Sequence, residues 1–248
     1  MEKISATIIT YNEEKNIERC LKSLQGVADE IIVVDSFSTD RTKEICIKYN
    51  VSFFERAFTD YSDQKNWAIE QTKYPIILSI DADEELSEKL KESILTIKNN
   101  WQDDGYFFNR MTNYCGKWIK HSGWYPNHQL RLWDKSKGKW EGIIHEKITV
   151  DKNKITHIKG DLYHYSYHNY SQHILQIDKF SELQSKQLYE KGGGVSWFKI
   201  IFAPFIRFIR HYIIRFGFLD GSAGFIISVN SAYGQFLKYI KLKKLTNV

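Results

Sequence analysis

The chain has 248 residues, 15% aromatic and 26% charged, with a formal net charge of +5. That length supports one large domain or two small ones without a disulfide or metal staple, and three scattered cysteines, Cys20, Cys46 and Cys115, exclude a disulfide-framework secreted domain. From Val195 onward there are eight Lys/Arg and one acid, net +7, which leaves the rest at −2; basicity confined to the tail argues against a nucleic-acid binder.

Apolar strand-like runs alternate with helical patterns through the first hundred residues. Ile4–Thr10 reads as a buried strand, and Ile17, Leu21 and Leu24 then mark one face of a helix. Glu30–Asp35 (EIIVVD) is a second strand, Asp40 can cap a helix carrying Ile45 and Tyr49, and Ser52–Glu55 is a short third strand. A helix around Ser62–Thr72 leads to Pro75–Ile80, another buried strand, and Ser87 caps a helix with Leu90, Ile94 and Ile97 inward. Such alternation predicts βαβ units and a parallel sheet, the mark of an α/β fold. After Asn100 the pattern changes to an aromatic, Gly- and His-rich stretch with short strands (GYFFNRM, HQLRLWD, KITV), followed by a helix from about Ser171 to Lys191 and a break at Gly192–Gly194.

The start of the chain lacks a basic segment and cleavage site of the secretory type, which sets a cytoplasmic expectation. The longest uncharged run of the tail, 221–237, holds Gly, Ser, Asn and Gln, so no spanning helix is expected.

Ligands of open α/β sheets bind beyond the carboxyl ends of the strands. Three polar clusters stand there: Thr10-Tyr11-Asn12-Glu13, Asp35-Ser36-Phe37-Ser38 and Asp81-Ala82-Asp83-Glu84. Paired carboxylates at a strand end are a donor set for a hard divalent cation, Mg²⁺ or Mn²⁺, shared with substrate phosphates. Neither G-x-G-x-x-G nor G-x-x-x-x-G-K-[ST] occurs, which disfavours a dinucleotide-binding dehydrogenase and a P-loop nucleotidase. Phosphate would be held by metal and by side chains such as Lys65.

The strings TYNEEKNIERCLKSL, EIIVVDSFSTDRT and DQKNWAIEQTKYPIILSIDADEEL resemble glycosyltransferase family 2, inverting enzymes with the GT-A fold and a nucleotide-sugar donor. HEK at 145–147, LYHYSY at 162–167 and GFLDGSAGF at 217–225 are similar to its lipopolysaccharide-core β-glucosyltransferase-like group. The resemblance implies a mixed, mainly parallel sheet flanked by helices, and a UDP-sugar pocket. Thr10, Tyr11 and Glu13 would line the uracil or ribose, Asp35 would reach the base or ribose, and Lys65 and Asn66 would lie near the donor phosphates. Asp81 would face ribose or metal, and Asp83 would ligate the metal that bridges the diphosphate. Where the family commonly has V-D-D-G-S, this chain has Val34-Asp35-Ser36-Phe37-Ser38, so one of two acids is absent.

Inverting transfer needs a general base for the acceptor hydroxyl. Glu146 is preferred, beside His145 as in the resembling group, with Glu141 of WEG the alternative. His164 in LYHYSY is a candidate late metal ligand. Trp124 in a Gly123/Pro126 loop, and Arg131, are candidate acceptor-binding residues, since aromatics stack on sugars and Arg pairs with phosphate.

In the tail, Arg207, His211 and Arg215 recur at four-residue spacing among Phe, Ile and Tyr, with Pro204 expected to kink or break the helix. This suits a helix lying on an anionic membrane surface. The expected organisation is a GT-A catalytic domain at 1–185, with a nucleotide-sugar half (1–100) and an acceptor half (101–185). A basic amphipathic helical extension at 186–248 would rest on the inner face of the cytoplasmic membrane. The expected reaction moves a hexose, glucose first, from a UDP-sugar to a lipid-linked saccharide such as lipopolysaccharide inner core. A polyprenyl-phosphate or capsular acceptor, a nucleotidyltransferase, and a non-catalytic sugar-nucleotide-binding membrane protein are the alternatives. The sequence leaves the oligomeric state open.

Overall fold

The computed structural model describes residues 1–142, 146–150 and 154–246. Its elements are β1 (Ile4–Thr10), α1 (Ile17–Leu24), β2 (Glu30–Asp35), α2 (Thr42–Lys48), β3 (Ser52–Glu55), α3 (Tyr61–Glu70), β4 (Ile76–Ser79), β5 (Glu84–Leu86), α4 (Glu88–Asn99), β6 (Gly105–Tyr114), β7 (Lys117–Trp118), β8 (Asn127–Asp134), β9 (Lys139–Glu141), β10 (Lys147–Thr149), β11 (Ile155–Tyr167), α5 (Tyr170–Glu190), α6 (Trp197–Ile209) and α7 (Gly221–Thr246). A π-helical turn (Arg210–Ile214) and a 3₁₀ turn (Gly217–Asp220) lie between α6 and α7.

One sheet runs in the order β3-β2-β1-β4-β8-β6-β11-β5, with β7 on β6; β9 and β10 form a separate hairpin. The first four strands are parallel neighbours, and β8 then pairs antiparallel with both β4 and β6. The sequence reason for the parallel part is direct. In β1 and β2, apolar and β-branched residues face helices on either side, so the runs are continuous instead of alternating.

By its contacts the chain forms two compact units. One comprises 1–110 and 127–165, the other 111–126 and 166–248. In the first, Ile4, Ile8, Leu21, Leu78, Leu90 and Phe108 are wholly buried in one core. Trimming such a residue to Ala costs about 2–5 kcal/mol. Ser87 caps α4 as its sequence suggests, its Oγ accepting from Leu90 N. The same hydroxyl accepts from Asp161 N, tying β11 to the start of that helix. Gly160 has φ +105°, and a Cβ there would stand 2.3 Å from Leu90 N, so only glycine lets β11 pass so close.

In the second unit, Tyr114, Ile119, Ala223 and Ile227 form a core with Trp124 and Tyr167 against it. Ile200, Tyr239 and Leu242 join α6 to α7. The segment 186–248 is thus packed with α5 and with residues 111–126 inside one unit.

Two expectations for the tail are corrected. Pro204 lies inside α6 without ending it; the break comes at the π-turn and at Phe216, which takes a left-handed φ of +54°. His211 is not part of an exposed basic stripe. It is 5% exposed, and burial, helped by Arg207, pushes its pKa down to about 4, so it is neutral. The apolar side of this region is open: Phe198, Phe205, Ile206 and Ile214 are each at least 65% exposed. Among the described residues no single helix is long and apolar enough to cross a membrane. Trp197–Ile214 and Gly217–Thr246, bent by 70° at their break, reach that length and apolarity only together.

Candidate active site

The site grows from the turn after β4. Asp81 N donates to Glu84 Oε2 and Glu84 N to Asp81 O, closing the turn Asp81–Glu84. The register of β8 against β4 pairs Leu132 with Leu78, which brings Arg131 level with Ser79, just short of Asp81. Arg131 Nη2 reaches Asp81 Oδ2 and Glu84 Oε1, each at 2.7 Å. Arg110 on β6 adds a longer contact to Glu84 at 3.4 Å.

From the other side comes Lys65. Asp60 caps α3 by accepting from Asp63 N, and the helix turns Lys65 inward, where it is 5% exposed. Its Nζ lies 3.0 Å from Asp81 Oδ1, 3.8 Å from Glu146 Oε1 and 4.3 Å from the Trp140 ring centroid. Charges are therefore balanced by alternation, Lys65–Asp81–Arg131–Glu84. Burial by itself raises the Asp81 carboxyl, but Arg131 and Lys65 outweigh it and hold it well below the usual carboxylate range. Glu13 behaves oppositely. Burial pushes it up against the hydrogen bond from Asn16, and Asp83 and Asp81 push the same way.

Asp83 and His164 form the second element. β11 pairs with β5 so that His164 stands opposite Glu84, and Tyr165 N donates to Asp83 O. His164 Nε2 is then 3.2 Å from Asp83 Oδ2. A carboxylate oxygen and an imidazole nitrogen at that separation fit two positions of one coordination sphere. Among the described residues no third His, Cys, Asp or Glu completes a set. Two protein donors with the remainder left to phosphate oxygens and water is the usual provision for Mg²⁺-like ions.

The other expected residues are placed as follows. Thr10 ends β1, nearly buried, with its Oγ1 unpartnered, whereas Tyr11 is 59% exposed. Asp35 is fully buried at the end of β2, and its carboxylate accepts from Ser38 N and Oγ, which shapes the loop at 36–38. Asn66 is turned to structure: its amide brackets the Trp140 backbone, donating to the carbonyl and accepting from the N–H. With both Asp81 oxygens on cations, Asp83 and His164 are the donors left for a metal. Glu146 joins the Lys65 cluster, while Glu141 faces outward on the β9–β10 hairpin, bonded to Thr149 and near Lys139. His145 lies outside the described residues.

Arg131 corrects an expectation. It is 2% exposed and engaged by two carboxylates, so it holds the acidic turn and offers no acceptor surface. Trp124 belongs to the second unit, where its ring packs edge-on to Tyr114. Sequence reasoning missed Arg110 and Trp140, and placed Glu84 in the acidic cluster without its partner Arg131. Glu84 reads in the sequence as the polar end of the acidic run, and its burial in a three-residue strand is visible only in the structure.

A parallel sheet with an acid-bearing turn at its strand ends, extended by an antiparallel part, is the architecture of GT-A glycosyltransferases. The structure of S. aureus TarS 1–349 in complex with UDP-GlcNAc shares the fold, with a TM-score of 0.50 at 14% identity over 99% of this chain and 91% of that one. The chain belongs to glycosyl transferase family 2, whose profile matches residues 5–160. An uncharacterized glycosyltransferase of Rickettsia typhi is 31% identical over 99% of this chain and 88% of its own length. The lipopolysaccharide core biosynthesis glycosyltransferase LpsC of Rhizobium meliloti is 31% identical over 96% of this chain and 91% of its own.

Proposed function

We propose that this glycosyltransferase moves a hexose, glucose first, with inversion from a UDP-sugar to a lipid-linked saccharide of the lipopolysaccharide inner-core type. The observation that carries the reading is the convergence of Asp83, His164, Lys65 and Glu146 around the Asp81 turn. The naming of LpsC for lipopolysaccharide core biosynthesis supports the acceptor class, and UDP-GlcNAc in TarS supports a UDP-sugar donor.

In this reading Asp83 and His164 hold a divalent cation, Mg²⁺ or Mn²⁺, which when bound neutralises charge on the departing diphosphate. Lys65 stands behind Asp81 as a fixed cation near the phosphates. Thr10, Tyr11, Glu13 and Asp35 border the nucleoside, and Glu146 takes the proton of the attacking acceptor hydroxyl. Lys65, 3.8 Å away, keeps the Glu146 carboxylate in place in the resting site. Residues 101–185 carry the acceptor side. The exposed Phe and Ile side chains of 186–248, with Arg and Lys interleaved, rest on the anionic inner face of the cytoplasmic membrane.

The test is UDP release from a panel of UDP- and GDP-sugars, with lipopolysaccharide-core acceptor and Mg²⁺ or Mn²⁺. UDP-glucose should be turned over by the wild type and lost in Asp83→Ala. Absence of turnover together with absence of a metal-dependent thermal shift with any donor would sink the reading.

A further inference from the structure

The second unit contains a cleft that the transfer chemistry does not use. It is a cavity of about 450 Å³, lined among others by Lys120, His121, Gly123, Tyr125, Arg215 and Phe216. Its chemistry is one-sided. The acid beside it, Asp220, is 4% exposed and turned inward, accepting from Lys120 N, His121 N and His121 Nδ1. Asp220 thereby fixes the His121 ring as part of the cleft wall.

Arg215 is positioned by the backbone. Ser122 N donates to Arg215 O, and the guanidinium lies against Gly123, where a Cβ would be 1.9 Å from Nη1. Gly123 also has φ +73°, so a side chain there is excluded twice over. Among the described residues neither Arg215 nor Lys120 has a salt-bridge partner.

The flanks decide the ligand class. Ile214 and Phe216, on either side of Arg215, line the same cleft and are 65% and 54% exposed. The apolar surface continues in chain order through Phe218 and Leu219, 45% and 59% exposed. A soluble phosphate or sugar nucleotide gains nothing from such flanks. A phosphate attached to acyl chains is matched by both parts, the cations by charge and the apolar residues by burial.

We propose that this cleft binds the phosphate headgroup of an anionic phospholipid, with Arg215 and Lys120 as the cations. The inference rests on the membrane-associated reading above and sharpens it from diffuse attraction to a built headgroup site.

The experiment is flotation of the full chain with three kinds of vesicle. The first is phosphatidylcholine alone, the second contains phosphatidic acid, and the third contains oleate to the same surface charge. The wild type should prefer the phosphatidic acid vesicles over the oleate vesicles. Lys120→Gln/Arg215→Gln should lose that preference by about tenfold or more, with little change on neutral vesicles. Arg215→Lys should keep part of it. Thermal melts by circular dichroism that match the wild type report that the variants are folded. Equal wild-type binding to phosphatidic acid and oleate, or a double variant that keeps the preference, would overturn the cleft and leave membrane association standing. No binding to any vesicle would overturn both.

Discussion

Asp83 and His164 meet at 3.2 Å because β11 returns antiparallel to the short strand β5 that follows the acidic turn. The pair joins the first half of the chain to its last sheet strand, and the proposed reaction assigns it the cation. His164→Ala should weaken Mn²⁺ at least about tenfold. Asp83→Ala should abolish metal-dependent turnover. Mn²⁺ titrations followed by turnover and by calorimetry give the answer, and an unchanged Mn²⁺ curve for His164→Ala removes it from the site.

Glu146 and Glu141 differ in surroundings, so their amides should differ in effect. Glu146→Gln should lower kcat by about 10²–10⁴ while leaving donor affinity within about twofold. Glu141→Gln, at an exposed hairpin position, should be close to wild type. Single-turnover kinetics with a saturating UDP-sugar separate the two cases.

Arg131 is a structural cation, and its loss leaves Asp81 to Lys65 alone and the buried Glu84 to its longer contact with Arg110. Arg131→Leu should destabilise the first unit by about 3–5 kcal/mol. Urea denaturation followed by tryptophan fluorescence measures it, helped by Trp140, whose ring sits beside Lys65 and Arg131. A loss under 1 kcal/mol, roughly that of a surface pair, would contradict the assignment.

Much of this was legible in the sequence. The bounds of β1 and β2 follow directly from apolar runs that end in polar residues, and Ser87 announces α4. The convergence of three strand-end clusters also follows, because parallel strands put their carboxyl ends at one edge. What was not legible depends on pairing across long separations. Nothing local tells Arg131 that β8 will lie beside β4, or that β5 exists, since three residues carry too little periodicity. The tail misled for another reason. Four-residue spacing assumes an unbroken α-helix, and the π-turn at Arg210–Ile214 rotates His211 into the interior.

Two buried histidines set an acid limit. His173 and His211 are each pushed down to about 4 by burial, with Arg207 adding to the effect at His211. The folded pKa lies below the unfolded value of about 6.5, so below that pH the unfolded chain binds protons that the folded chain refuses. Stability should therefore be full above about pH 6.5 and fall toward pH 4, by up to about 1.4 kcal/mol per pH unit for each histidine. His211→Phe should flatten the slope by about one proton in melts between pH 7 and 4.5. An unchanged slope would mean that His211 is not held neutral.

The exposed apolar side chains of α6 make a separate prediction. Phe198→Asp/Phe205→Asp should reduce flotation with anionic vesicles about tenfold or more, since each ring is 69% exposed and contributes about 1.5–3 kcal/mol when buried. Melting should hardly change. Cutting at Gly194 is the poorer test, because α7 supplies Ala223 and Ile227 to the core around Tyr114.

The order of the sheet also bears on synthesis. β4 is complete by Ser79, yet its open side is covered by β8, at Asn127–Asp134. While the intervening residues emerge from the ribosome, the nascent parallel sheet therefore carries an uncovered apolar edge in Ile76–Ile77–Leu78. Such an edge is what chaperones shield and what pairs wrongly with a neighbouring chain. Slow translation between Ser79 and Asn127 would lengthen that exposure, and soluble yield is where the cost would be seen.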